Sequence, residues 1–107
     1  MTRRRAHERY QCEISVRLVH EGRELHAVSE NLSLGGMLLR SDVSLPLAAE
    51  VKVQFDVPSS GITVETDAVV RWHKPSGFGV QFMSLRAREV WALNRWFTKL
   101  SAVEQSI

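Results

Sequence analysis

Alternation of apolar and polar side chains runs through most of this chain, and it predicts strands that bury one face. Over residues 11–20, Ile14, Val16 and Leu18 alternate with Glu13, Ser15 and Arg17. Glu21-Gly22 supplies a turn, and residues 25–28 return as a second strand that runs into a polar corner at Asn31. Residues 37–40 make a short third strand, followed by a loop over 41–49 that contains Pro46. Val51, Val53, Phe55 and Val57 then alternate with Lys52, Gln54 and Asp56. Beyond a turn at Pro58-Ser59-Ser60-Gly61 comes the longest strand. Ile62, Val64, Ala68, Val70 and Trp72 share one of its faces, with Thr63, Glu65, Asp67 and Arg71 on the other. Pro75-Ser76-Gly77 reverses the chain into Phe78, Val80 and Phe82.

Six strands with turn signals about every ten residues imply an all-β fold of the small antiparallel barrel type. A barrel is preferred to a sandwich because one core must serve every strand, and closure removes exposed edges. After Phe82 the period changes. Val90, Leu93, Phe97 and Leu100 fall on one helical stripe, with Ser84 as the expected N-cap. This helix is expected to close one end of the barrel, and Trp91 and Trp96 are read as helix packing. The chain divides into an arm at 1–10, a barrel with its helix at 11–100, and a tail at 101–107.

The corner Glu30-Asn31-Leu32-Ser33-Leu34-Gly35-Gly36 leads directly into the third strand. Asn31 and Ser33 have short side chains that bond neighbouring backbone and suit turns. Gly35 and Gly36 permit positive φ and close approach of a second chain or a ligand. The expectation is a rigid corner with its polar atoms outward and bare backbone beside them, suited to something small, polar and flat. The alternative is a turn that only reverses the chain.

Composition adds bounds. The chain has 107 residues, 44% hydrophobic and 24% charged, as one globular domain would have. Its single cysteine, Cys12, cannot form an internal disulfide and fits a reducing compartment. No apolar run approaches the ~20 residues that cross a bilayer, so the expected location is cytoplasmic, without membrane insertion. The net charge of +2 is unevenly spread. Arg3, Arg4, Arg5 and Arg9 face only Glu8 in the first nine residues, leaving a net −1 on the remainder. Such an arm points to an anionic partner, and arginine's planar fork favours bidentate contacts and stacking. Catalysis finds no cast. Ser33 lacks a nucleophile-elbow frame. His7, His20, His26 and His73 lack metal-ligand spacing, and Cys12 reads as a small packed hydrophobe. Trp72-His73 reads as packing in preference to a stacking platform.

Two motifs carry a resemblance. Arg5-Ala6-His7-Glu8-Arg9 fits Arg-x-x-x-Arg with Arg4 before it, and Asn31-Leu32-Ser33-Leu34-Gly35-Gly36 fits Asp/Asn-x-Ser-x-x-Gly. In this order, ahead of Gly77-Phe78-Gly79-Val80-Gln81-Phe82 and a terminal helix, the chain resembles a stand-alone PilZ domain over about residues 3–100. The resemblance implies a six-stranded antiparallel PilZ-type barrel closed by one helix. It implies a receptor for the bacterial second messenger cyclic di-GMP, with no enzymatic activity and no other cofactor. It implies that Arg5 and Arg9 take guanine edges and phosphates, and that Asn31 and Ser33 contact ligand from the corner. Gly35 lies in the same motif, Gly36 leaves room for the ligand, and Arg4 reaches a second, stacked nucleotide. Asn31 stands where Asp is commoner, losing a charge but keeping a carbonyl acceptor. A receptor of this kind relays ligand level to an effector protein through ordering of its arm. Two alternatives remain: a PilZ-fold interaction module that binds no nucleotide, and a small nucleic-acid-binding barrel. The neutral body and core-period aromatics argue against DNA or RNA.

Overall fold

The computed structural model describes residues 8–105, with side chains through residue 100. Its strands are β1 (Tyr10–Gln11), β2 (Ser15–His20), β3 (Arg23–Leu32), β4 (Gly36–Arg40), β5 (Glu50–Val57), β6 (Ile62–Lys74) and β7 (Gly77–Phe82), followed by helix α1 (Ala87–Gln105). All pairings are antiparallel, in the order β1-β3-β2-β5-β6-β7-β4, and β4 pairs back onto β3. Six strands therefore close into the expected barrel, with β1 as an extra short strand on β3. Closure satisfies both edges of each long strand, which is why an alternating pattern with few edge-protecting devices is stable here.

Residues 11–20 do not form one strand. Tyr10 and Gln11 pair with Leu32 and Asn31, and Ser15 begins a separate pairing with Val28. Between them the fully buried Ser29 repairs the ladder. Its hydroxyl donates to the Cys12 carbonyl at 2.6 Å and accepts from the Ile14 amide at 3.0 Å. The half-buried Cys12 thiol donates to the Tyr10 carbonyl, and burial pushes its pKa up, so it stays protonated and packs as a small hydrophobe.

The barrel is filled from the inward positions of every strand: Leu18, Leu32, Met37, Val53, Val64 and Phe78 are among the fully buried side chains. Truncating such a residue to alanine costs about 2–5 kcal/mol. Leu93 and Phe97 of α1 complete this core, as their spacing predicts. The start of the helix differs from expectation. Ser84 does not cap it, because residues 83–84 continue along β6: the Met83 amide donates to Asp67, and the Thr66 hydroxyl donates to the Ser84 carbonyl. The first turn is held instead by Glu89, only 1% exposed. One of its oxygens accepts from the Arg86 amide at 2.8 Å and the other from the Glu65 amide at 3.0 Å. This is the carboxylate half of a capping box, and it also ties the helix to the barrel.

Candidate functional site

Two irregularities in the ladders shape one patch of the outer surface. The β3–β4 register shifts between Ser29 and Asn31, and the β6–β7 register shifts between Val70 and Trp72. In each case one extra residue, Glu30 or Arg71, reverses the inward–outward parity of the residues after it. Without the first bulge Asn31 would point into the core. Without the second, Trp72 would continue the inward face of Val64, Ala68 and Val70, as the alternation predicts. The bulges turn both side chains outward. They also place them in one cross-strand row, because Asn31 pairs with Leu38, Leu38 with Gly79, and Gly79 with Trp72. Strands lie about 4.8 Å apart, so the row spans ~14 Å between its end residues.

Side chains bridge that span. The Trp72 indole lies back across β7, so close to Gly79 that a Cβ there would come within 2.1 Å of the ring. Gly79 is thus a bare floor under the indole, a pairing of aromatic and glycine that covers exposed backbone. From the other side, Arg9 Nη1 donates to Asn31 Oδ1 at 2.6 Å, and the guanidinium sits 5.4 Å from the Trp72 ring centroid. A cation over an indole face is held by the ring quadrupole. Arg9, Asn31 and Trp72, from three distant parts of the chain, form one outward-facing cluster.

Polar contacts flank it. On one side Lys74 Nζ reaches Glu30 Oε1 at 3.1 Å, crossing the β7–β4 pair. On the other, Arg71 Nε donates to Gln81 Oε1 at 2.8 Å. The patch therefore combines an aromatic face, amide groups and several cations on an open surface. Behind it, Tyr10 stacks on Phe97 of α1 with ring centroids 4.4 Å apart, so the residue next to Arg9 is packed on the helix.

The corner itself faces the other way. Ser33 is 4% exposed, and its hydroxyl accepts from the amides of Gly35 at 3.0 Å and Gly36 at 3.2 Å. Its own amide donates to the Gly36 carbonyl at 2.9 Å. The expectation that the polar atoms of the corner point outward holds for Asn31 and fails for Ser33, whose oxygen is consumed in closing the turn. Positive φ is not needed at Gly35 or Gly36; among the described glycines only Gly22 and Gly61 adopt it. Gly36 is small for a different reason. A Cβ there would come 2.2 Å from the Val80 carbonyl on β7, so the space its missing side chain leaves belongs to the neighbouring strand. Gly35 contributes its carbonyl, which accepts from the Phe82 amide at 2.9 Å.

Of the residues singled out from sequence, Arg9 and Asn31 meet directly, and Ser33, Gly35 and Gly36 build the adjoining turn. Arg3, Arg4 and Arg5 lie outside the described residues. Sequence reasoning does not bring Trp72, Arg71 or Lys74 to the site. A signal for Trp72 is present in Gly77-Phe78-Gly79, where small residues at outward positions of one strand leave backbone for a neighbouring aromatic to cover. His73, beside it, is structural: its Nε2 bonds the Leu45 carbonyl at 2.6 Å and holds the 41–49 loop. Among the described residues no three His, Cys, Asp or Glu side chains gather as metal ligands would, and no helix is long and apolar enough to cross a membrane.

Comparison with known proteins agrees with this architecture. The PilZ domain model matches residues 3–99. The solved structure of the Bacillus subtilis inhibitor of motility (MotI/DgrA) superposes with a TM-score of 0.73 at 20% identity, over 92% of this chain and 54% of that one. At that identity the likeness is one of fold, and the chain spans about half the length of that protein. No curated protein matches in sequence.

Proposed function

The chain belongs to the PilZ domain family, and from that premise we propose that it is a non-catalytic receptor for cyclic di-GMP. One observation carries the reading: a guanidinium, that of Arg9, is held outward between the Asn31 amide and the Trp72 face. Each part suits a guanine nucleotide. An arginine fork serves guanine O6 and N7 together, or pairs with phosphate. An indole stacks on a purine, worth about 1–3 kcal/mol per base. Arg71, bonded to the neutral Gln81 amide, supplies further positive charge for the two phosphates.

On this reading Arg5 and Arg9 take guanine edges and phosphates, Asn31 orients Arg9, and Trp72 provides a stacking face. Ser33, Gly35 and Gly36 act one step back, by holding the turn that carries Asn31 beside β4. Arg4 serves a second, stacked nucleotide. Ligand orders the arm, and the Tyr10–Phe97 stack ties that event to α1. An effector protein then reads the change.

Calorimetry on the full chain with cyclic di-GMP, GTP and a short single-stranded oligonucleotide tests this. The expected result is saturable binding of cyclic di-GMP, with GTP and the oligonucleotide at least tenfold weaker. Preference for the oligonucleotide would instead make the chain a nucleic-acid-binding barrel. No binding of any of the three would leave an interaction module.

A further inference from the structure

On the barrel, most exposed cations have a carboxylate within reach. Arg17 pairs with Glu24, Arg40 with Glu13, Lys52 with Asp67 and Lys74 with Glu30. Helix α1 is different. Arg88, Arg95 and Lys99 are all exposed, and none forms an ion pair among the described residues. The sole acidic residue at 87–100 is Glu89, which is turned into the barrel with both oxygens bonded to backbone amides. Over those residues the outward face of the helix thus carries three positive charges and no negative one.

Trp91 sits in the middle of that face. Spacing alone reads it as packing, but it is 56% exposed, on the side opposite Leu93 and Phe97. Its indole is capped by Arg95, whose guanidinium lies 5.0 Å from the ring centroid. Arg88, Trp91, Arg95 and Lys99 follow one another at intervals of three, four and four residues, a single ridge along the helix. At 1.5 Å per residue the ridge is ~16 Å long. Exposed tryptophan beside arginine is the composition of interface hot spots, where a buried indole and desolvated guanidinium dominate affinity.

We propose that this ridge docks an acidic helical segment of a protein partner, with carboxylates on Arg88, Arg95 and Lys99 and an apolar slot for Trp91. Charge complementarity chooses the acidic occupant. The rest of the face decides against a lipid surface. Ala87, Asn94 and Thr98 flank Trp91, so the helix presents one large apolar side chain where bilayer insertion needs a broad apolar face. The ridge shares no residue with the nucleotide patch, and its docking stands whether or not cyclic di-GMP binds.

The test uses no nucleotide. A labelled helical peptide of about 15 residues, with glutamates and leucines at three- and four-residue spacing on one face, is titrated against the full chain and followed by anisotropy. A scrambled peptide of the same composition serves as control. Binding should be at least tenfold tighter than for the scramble. It should weaken at least tenfold in Trp91→Ala and in the Arg88→Glu, Arg95→Glu double variant, and be unchanged in the Arg17→Glu, Arg23→Glu double variant, the same charge change on the barrel. Equal binding of the scramble, or full affinity in Trp91→Ala, overturns the proposal. So does tighter, Trp91-dependent binding to phosphatidylglycerol vesicles or to an oligonucleotide. Trp91-dependent self-association in sedimentation would assign the ridge to a second copy of this chain and equally overturn it.

Discussion

The turn at 33–36 and the row from Asn31 to Trp72 lie side by side, yet their residues face opposite ways. In the turn, every conspicuous group is directed inward: the Ser33 hydroxyl to two amides, the Gly35 carbonyl to Phe82, the bare Cα of Gly36 to β7. In the row, bulges at Glu30 and Arg71 push a polar and an aromatic side chain out to meet Arg9. One motif, Asn31 to Gly36, thus spans two jobs. Its first residue belongs to the outward cluster proposed to bind ligand, and its last ones to the scaffold that positions it. Residues of the turn should therefore fail as structural residues fail, and residues of the row as binding residues fail.

The largest effect should come from Gly36→Val. A Cβ 2.2 Å from the Val80 carbonyl cannot be absorbed by a side-chain rotation, so β4 and β7 must part. A loss of at least ~3 kcal/mol is expected, seen as a fall in Tm of ~15 °C for a domain of this size. A variant that melts with the wild type but no longer binds would put Gly36 on the ligand side and erase the distinction.

Arg9→Ala and Trp72→Ala probe the row. Each should weaken cyclic di-GMP binding by about 1–3 kcal/mol, roughly ten- to hundredfold, with Tm changed by only a few degrees. Because the two side chains touch, their effects should be less than additive in the double variant. Full additivity would mean that Arg9 acts elsewhere on the ligand and that the cluster is not a unit.

Ser33→Ala sharpens the contrast. It strands two amides in a buried turn and should cost about 1–2 kcal/mol of stability. Binding should fall only as far as Asn31 is displaced, a few-fold at most. Loss of affinity without loss of stability would return Ser33 to the contact surface.

Arg4→Leu should have the smallest effect on affinity and the clearest on number. Two cyclic di-GMP molecules bring four negative charges together, and a guanidinium removed from that cluster favours one ligand over a stacked pair. Calorimetry above the dissociation constant should show two nucleotides per wild-type chain and a shift towards one in the variant. A wild-type count of one would sink the idea, and Arg3→Leu, Arg4→Leu is needed as well, since Arg3 can stand in.

Much of this architecture is legible in the order of residues. The strands at 51–57 and 77–82, the turns at Glu21-Gly22 and at 58–61, and the stripe of Leu93 and Phe97 all come from local periodicity, because burial on one face is a constraint each segment carries alone. So does the asymmetry of charge that marks out the arginine arm. Arg9 and Asn31 are recognisable through paired motifs, which record a recurring solution in the order of residues.

Other features depend on partners far away in the chain. Period-2 reasoning carries Trp72 inward because it cannot see a bulge, and a bulge exists only relative to the strand opposite. Ser84 looks like a cap, but a distant Thr66 claims its carbonyl, and the buried Glu89 organises the helix start. Trp91 and Trp96 lie on the same helix among similar neighbours, and only the packing of α1 on the barrel leaves one exposed and the other partly covered. The amino-acid order therefore determined the type of most segments, where the turns fall, and which residues belong to the arginine and corner motifs. Register, the two parity reversals and the exposed face of the helix were decided by tertiary structure, since each is a relation between segments that no single segment encodes.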